Sequence, residues 1–193
     1  MDKDFIRDRY EFTDDDKAII DVTVETVNDL FNSFDKKASY YKRELDQDLE
    51  DYIVESVKEL SSSQFIVRIN IEKDFDNSKH ELILRAIRNH FRYMYYFERK
   101  KFTKVILKFL GLLFLGIALM SFYYQYSSHI TNFSTLPMYS KIVIEGIDIA
   151  GWVAYWEAFS CVIFDFIPIQ RSRWMYRRIA RAKILIESTV DNK

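Results

Sequence analysis

From Val105 to Tyr126 the chain is apolar at almost every position, with Phe109-Leu-Gly-Leu-Leu-Phe-Leu-Gly-Ile-Ala-Leu-Met-Ser-Phe122 at its centre. About 20 such residues at a 1.5 Å rise cross a hydrocarbon core of ~30 Å. Tyr123, Tyr124 and Tyr126 close the stretch as an interfacial aromatic belt. A second apolar run extends from about Ile149 to Ile167, its stretch Gly151–Phe164 apolar except for Glu157, and Pro168 stands where its helix is expected to end. The pattern predicts a membrane hairpin.

The periods on either side are different. Phe65-Ile-Val-Arg-Ile-Asn-Ile71 alternates, which predicts a strand with Phe65, Val67, Ile69 and Ile71 on one face. Ala18–Val24 alternates too, although an amphipathic helix through Ile20, Val24, Val27, Leu30 and Phe34 fits the same residues. Lys183–Glu187 is a third short β-branched run. Asp46–Leu60 places Leu49, Ile53, Val57 and Leu60 on one helical stripe, with an acidic first turn that suits the helix dipole. Another helix starts near Ser78, runs through Leu82, Ile83, Ile87 and Phe91, and meets no breaker before the first span. The predicted fold class is an α+β cytoplasmic domain, a short sheet with helices, plus a transmembrane helical hairpin. The regions are 1–98, an acidic domain; 99–126, a basic flank and the first span; 127–148, a short external loop; 149–168, the second span; and 169–193, a basic interfacial helix and a strand returning to the domain.

Composition alone conceals this division. The 193 residues are 49% hydrophobic and 30% charged, with a net charge of -1, which excludes a disordered chain and a globally basic nucleic-acid binder. Charge is segregated, however. Residues 1–98 carry 15 Lys and Arg against 23 Asp and Glu, and residues 109–140 carry no charged side chain of either sign. The basic residues crowd the outer flanks of the two spans, and the loop between them has only Lys141. The positive-inside rule then places the protein in the inner membrane, multi-pass, with both termini cytoplasmic. Met1-Asp-Lys-Asp opens acidic and apolar-poor, so no cleavable signal is expected. A C-terminal strand can rejoin the sheet only if both termini share a compartment, so two unrelated signals agree.

Asp29-Leu-Phe-Asn-Ser-Phe-Asp35, Glu44-Leu-Asp-Gln-Asp-Leu-Glu-Asp-Tyr-Ile-Val54, Ile87-Arg-Asn-His-Phe-Arg-Tyr93 and Gly151-Trp-Val-Ala-Tyr-Trp-Glu-Ala158 occur in this order. With these stretches the chain resembles an uncharacterised family of small bacterial two-span membrane proteins. The resemblance implies a hairpin carrying an α/β cytoplasmic domain, and implies no activity.

Glu157 is the most informative candidate. It lies about eight positions, or ~12 Å, from either end of its span, where an ionised carboxylate needs a partner, a proton or water. Symmetric antiparallel pairing puts it opposite Gly116 and Ala118, with Lys108 paired in depth to Asp165 at the span end instead. Three readings follow: a protonated acid hydrogen-bonded between subunits, the lining of a water-filled path in an oligomer, or a contact with another membrane protein. All three require a homo-oligomer or a membrane partner. Glu145 and Asp148 form either an acidic external mouth or simply a solvated helix end. In Arg171–Lys183, Trp174, Met175, Ile179 and Ala182 suit the acyl boundary, while Arg171, Arg173, Arg177, Arg178 and Arg181 suit anionic head groups of a lipid bilayer; topology explains this run better than nucleic acid does.

Arg85-Ala-Ile-Arg-Asn-His90 resembles the Arg-x4-His motif of HEPN ribonucleases, which implies Arg85 and His90 as phosphate-polarising and proton-moving groups, but those domains are all-helical. His80, His90 and His129 are dispersed, and the run from Asp46 lacks the Gly and Glu of a calcium loop, so no metal is expected. All four glycines lie beyond residue 110, so a Gly-rich phosphate loop has no place in the acidic domain, and no cofactor is expected. Cys161, the only cysteine, reads as a buried thiol. The expected function is a scaffold, sensor or regulator acting through the cytoplasmic domain and not an enzyme. The alternatives are an ion or proton channel or membrane-disrupting effector using Glu157, and a HEPN-like ribonuclease at the membrane face.

Overall fold

The computed structural model describes residues 9–35, 38–73, 75–129 and 136–188. The acidic start at Met1–Asp4 and the middle of the expected external loop lie outside them. Glu11–Phe12 (β1) pairs antiparallel with Ala18–Val24 (β2), which runs parallel to Phe65–Ile71 (β3), itself parallel to Lys183–Ser188 (β4). The sheet order among the described residues is β1-β2-β3-β4, and the fold is mixed α+β. Ala18–Val24 resolves as a strand: its β-branched residues favour the pleated backbone, and seven consecutive positions pair with β3. After it, Asp29 Oδ2 accepts from the Thr26 N–H at 2.8 Å and its hydroxyl at 3.0 Å, capping the single 3-10 turn Val27–Leu30.

Gln47–Glu59 (α1) is capped by Asp46, whose carboxylate accepts from the Asp48 and Leu49 amides at 3.0 and 3.4 Å. His80–His129 (α2) is one unbroken helix of 50 residues, as the absence of a breaker predicts. Met138–Ser160 (α3) continues through a π-helical stretch, Cys161–Phe166, into Ile167–Arg181 (α4). Pro168 therefore does not end the helix. Proline offers no N–H, and its ring clashes with the carbonyl four residues back, here Phe164. The wider turns before it absorb that conflict, with the Ile167 N–H donating to the Val162 carbonyl five residues back.

The chain divides into two units, one built from residues up to 97 together with those from 172, the other from residues 98–171. In the first, one face of the sheet carries Ala18, Ile20, Val22, Val67, Ile69, Ile71, Ile184 and Ile186, all buried. They share a core with Ile53 and Val57 of α1, Ile83, Ile87 and Phe91 of α2, and Met175 and Ile179 of α4. The opposite face is polar at its middle, where Arg68 donates to Asp21 at 2.7 Å and to Glu11 at 2.8 Å. The connection from β3 to β4 contains the whole second unit.

The second unit is a helix pair. Gly116 and Gly151 mark a close approach: a Cβ on Gly151 would lie 2.8 Å from Met120 Cγ, and one on Gly116 would lie 3.3 Å from the Gly151 carbonyl oxygen. Gly151, Ala154, Ala158 and Cys161 form a buried stripe of small residues at spacings of three and four, the pattern that lets membrane helices pack backbone to backbone.

Candidate functional site

Glu157 has a partner within the chain. Lys108 Nζ lies 2.9 Å from Glu157 Oε1 and 3.9 Å from Asp165 Oδ2, so one ammonium serves two carboxylates. This differs from the symmetric register, in which α2 offered Glu157 nothing. The register is set where the glycines allow contact, not by matching span ends, and Gly116 faces Gly151 and Tyr155 instead of Glu157. A lysine stem is also long enough to carry its charge several ångströms along the helix axis. All three side chains are about half exposed. The trio therefore lies on the flank of the helix pair and leaves the seam to small residues. Glu145 is exposed and Asp148 half-buried on α3, and neither makes an ion pair among the described residues.

In the sheet-bearing unit, the structure assembles a group that the spacing did not single out. Glu50 of α1 is buried; its Oε2 lies 2.8 Å from His90 Nε2 of α2, and its Oε1 accepts from the Tyr176 hydroxyl of α4 at 2.8 Å. The Leu45 N–H donates to His90 Nδ1 at 3.3 Å, so the ring hydrogen sits on Nε2 and points at Glu50. Burial pushes the Glu50 carboxyl up, but the hydrogen bonds from His90 and Tyr176 outweigh it and hold the group below the ordinary carboxylate range. A single carboxylate thus ties three helices together. The signal was present in the sequence, since Glu50, Ile53, Val57 and Leu60 share one helical face at spacings of three, four and three.

Arg85 and His90 are not brought together. Arg85 points outward, with its Nε 3.8 Å from Glu81 Oε2, whereas the His90 side chain is 7% exposed. The sheet also separates this unit from an all-helical HEPN fold. A cavity of about 340 Å³ lined by Lys42, Arg43, Glu44, Asn89, His90 and Tyr93 reaches the imidazole but holds no nucleophile–base pair. Among the described residues, no three His, Cys, Asp or Glu side chains form a cluster able to hold a metal ion.

The basic stretch divides its labour. Met175 and Ile179, expected at the acyl boundary, are buried against the sheet, because the helix face they share is the one the domain core needs. Arg178 is a latch: it donates to the carbonyls of Ser61 and Ser63 and lies over the rings of Trp174 at 4.4 Å and Phe65 at 5.0 Å. Arg173 stands over Tyr95 at 5.8 Å. Arg171, Arg177 and Arg181 are exposed.

No protein-family model, curated protein or solved structure matches this chain.

Proposed function

We propose that this chain is an inner-membrane protein in which the helix pair of residues 98–171 is a two-span anchor and the α+β unit is a cytoplasmic scaffold or sensor module. One observation carries the reading. The most apolar window of α2 has a mean hydropathy of 2.4, yet only 6% of it is buried inside the chain. A core helix of a soluble protein would be mostly covered by its own fold, so this surface calls for an external apolar solvent. The corresponding window of Met138–Arg181 has a mean hydropathy of 1.3 and is 22% buried.

Strand pairing supports the topology. Because β3 and β4 are neighbours in one sheet, the segment between them leaves and re-enters the same unit, which fits an even number of crossings. The basic flanks at Arg99–Lys108 and Arg171–Arg181 support the cytoplasmic side for that unit. The resemblance to small bacterial two-span proteins agrees with this arrangement. Lys108 gives Glu157 a counter-charge within one chain, which favours an anchor over a conducting pore that needs a second copy to solvate the acid.

The test is membrane fractionation with reporter fusions. The full chain is expected to stay in alkaline-washed membranes and to be released by detergent. A cytoplasm-active reporter at the C-terminus is expected to be on, and the same reporter inserted after Leu136 off. Recovery as a dispersed particle in buffer without detergent would overturn the reading.

A further inference from the structure

Three arginines line one cleft of the α+β unit, and no carboxylate lines it with them. The cleft, about 320 Å³, is lined by Arg92, Tyr95 and Tyr96 of α2 and by Arg177, Ala180 and Arg181 of α4. The spacing places Arg92 with Tyr95 and Tyr96 one turn on, and Arg177 with Ala180 and Arg181 one turn on, so each helix presents one face to the cleft. No Asp or Glu occurs from Leu82 to Phe97 or from Ile167 to Ala182. The other arginines of this unit that bear on the fold are engaged: Arg68 with Asp21 and Glu11, Arg178 with the Ser61 and Ser63 carbonyls, and Arg173 over Tyr95. Arg92, Arg177 and Arg181 make no hydrogen bond or ion pair among the described residues. Like charges that share one cleft repel one another, and an anion between them turns that repulsion into attraction.

We propose that this cleft binds a phosphate group, with Arg92, Arg177 and Arg181 as the ligands and the tyrosines as its walls. A guanidinium presents two parallel N–H donors that match two phosphate oxygens, and three such forks satisfy a tetrahedral anion better than ammonium groups would. Ala180, the small residue on the α4 face, leaves the space between the forks open. The phosphate has two possible sources, an anionic phospholipid head group or a soluble phosphate compound. The lipid source rests on the membrane reading above, whereas the soluble source does not.

The experiment uses the full chain in two arms. In a neutral detergent, inorganic phosphate is titrated against chloride at matched ionic strength and the thermal midpoint is followed. In nanodiscs of phosphatidylcholine with or without one fifth phosphatidylglycerol, retained anionic lipid is counted by mass spectrometry. The wild type is expected to bind in at least one arm, and Arg92→Gln/Arg177→Gln/Arg181→Gln to bind at least roughly tenfold more weakly in that arm. Lys58→Gln/Arg85→Gln/Arg88→Gln, which removes equal charge elsewhere, is expected to bind as wild type. The same arginines changed to lysine are expected to fall between, since charge remains and the fork is lost. Binding in the lipid arm alone supports a phospholipid head group, and binding in the phosphate arm alone supports a soluble phosphate. Absence from both arms, or equal loss in the control triple, overturns the site. If the glutamine triple does not fold, Arg177→Gln alone decides, with a several-fold loss expected. A chain that never enters the nanodisc undermines the membrane reading, while the phosphate titration still tests the cleft.

Discussion

Glu50 keeps its charge at a buried position because two donors point at it, one from each of two other helices. Its carboxyl is depressed, so the charged form is favoured by folding. That stability is fully present above the unfolded pKa of ~4.3 and is lost as pH falls through the lower folded value. Hydrogen bonds to a buried charged group contribute about 1.5–3 kcal/mol each, against which desolvation acts. Glu50→Gln cannot accept from both donors with both of its polar atoms, because one of them is an NH2. The full chain in detergent is therefore expected to lose about 1–3 kcal/mol at pH 7 and to show a flatter decline of its thermal midpoint between pH 5 and 3 than the wild type. A Gln variant with an unchanged midpoint and an unchanged acid limb would show that the three-helix tie contributes nothing.

At the scale of elements, the two glycines that touch and the two that do not make a controlled comparison. A side chain at Gly151 meets Met120, and one at Gly116 meets Tyr155 and a backbone oxygen, whereas Gly111 and Gly146 have open space within 4 Å. Gly116→Val and Gly151→Val are expected to push α2 and α3 apart at a cost of about 1–3 kcal/mol, read as a lower thermal midpoint and faster proteolysis of the detergent-solubilised chain. Gly111→Val and Gly146→Val are expected to be neutral, because the helix gains propensity on losing glycine and nothing is displaced. Strand β3, the helix after Asp46 and the unbroken α2 were legible, since each follows from local period, whereas the Asp46 side chain, read as part of an acidic first turn, is the cap. The two-residue β1 was not, because a strand of that length has no period of its own. Nor was the passage of the helix through Pro168, because a sequence shows the missing donor but not the π turns that accommodate it.

The whole molecule is an insertion. A small mixed sheet is interrupted between β3 and β4 by a helix pair with its own packing seam. That is why the Lys108–Glu157 pair escaped the sequence while the two long apolar helices did not: hydropathy marks which stretches are apolar, but the offset between two helices is fixed by where small residues let them touch. It also predicts that the helix pair is separable. Within the sheet-bearing unit Arg173 lies over Tyr95, so the chain leaves and returns at neighbouring points and a short linker can close the gap. The core of that unit draws on β2, β3, β4, α1 and the parts of α2 and α4 outside residues 98–171, so excision removes none of its buried residues. Replacing residues 98–171 with a short Gly/Ser linker is expected to give a detergent-free monomer with cooperative unfolding and the circular dichroism of a mixed α+β fold. If Arg178 latches the returning helix to the Ser61–Ser63 turn as its contacts imply, Arg178→Ala in the excised protein lowers the midpoint by several degrees, about 1–2 kcal/mol for a domain of this size. An excised protein that aggregates or melts without cooperativity would mean that the sheet depends on the helix pair for its folding.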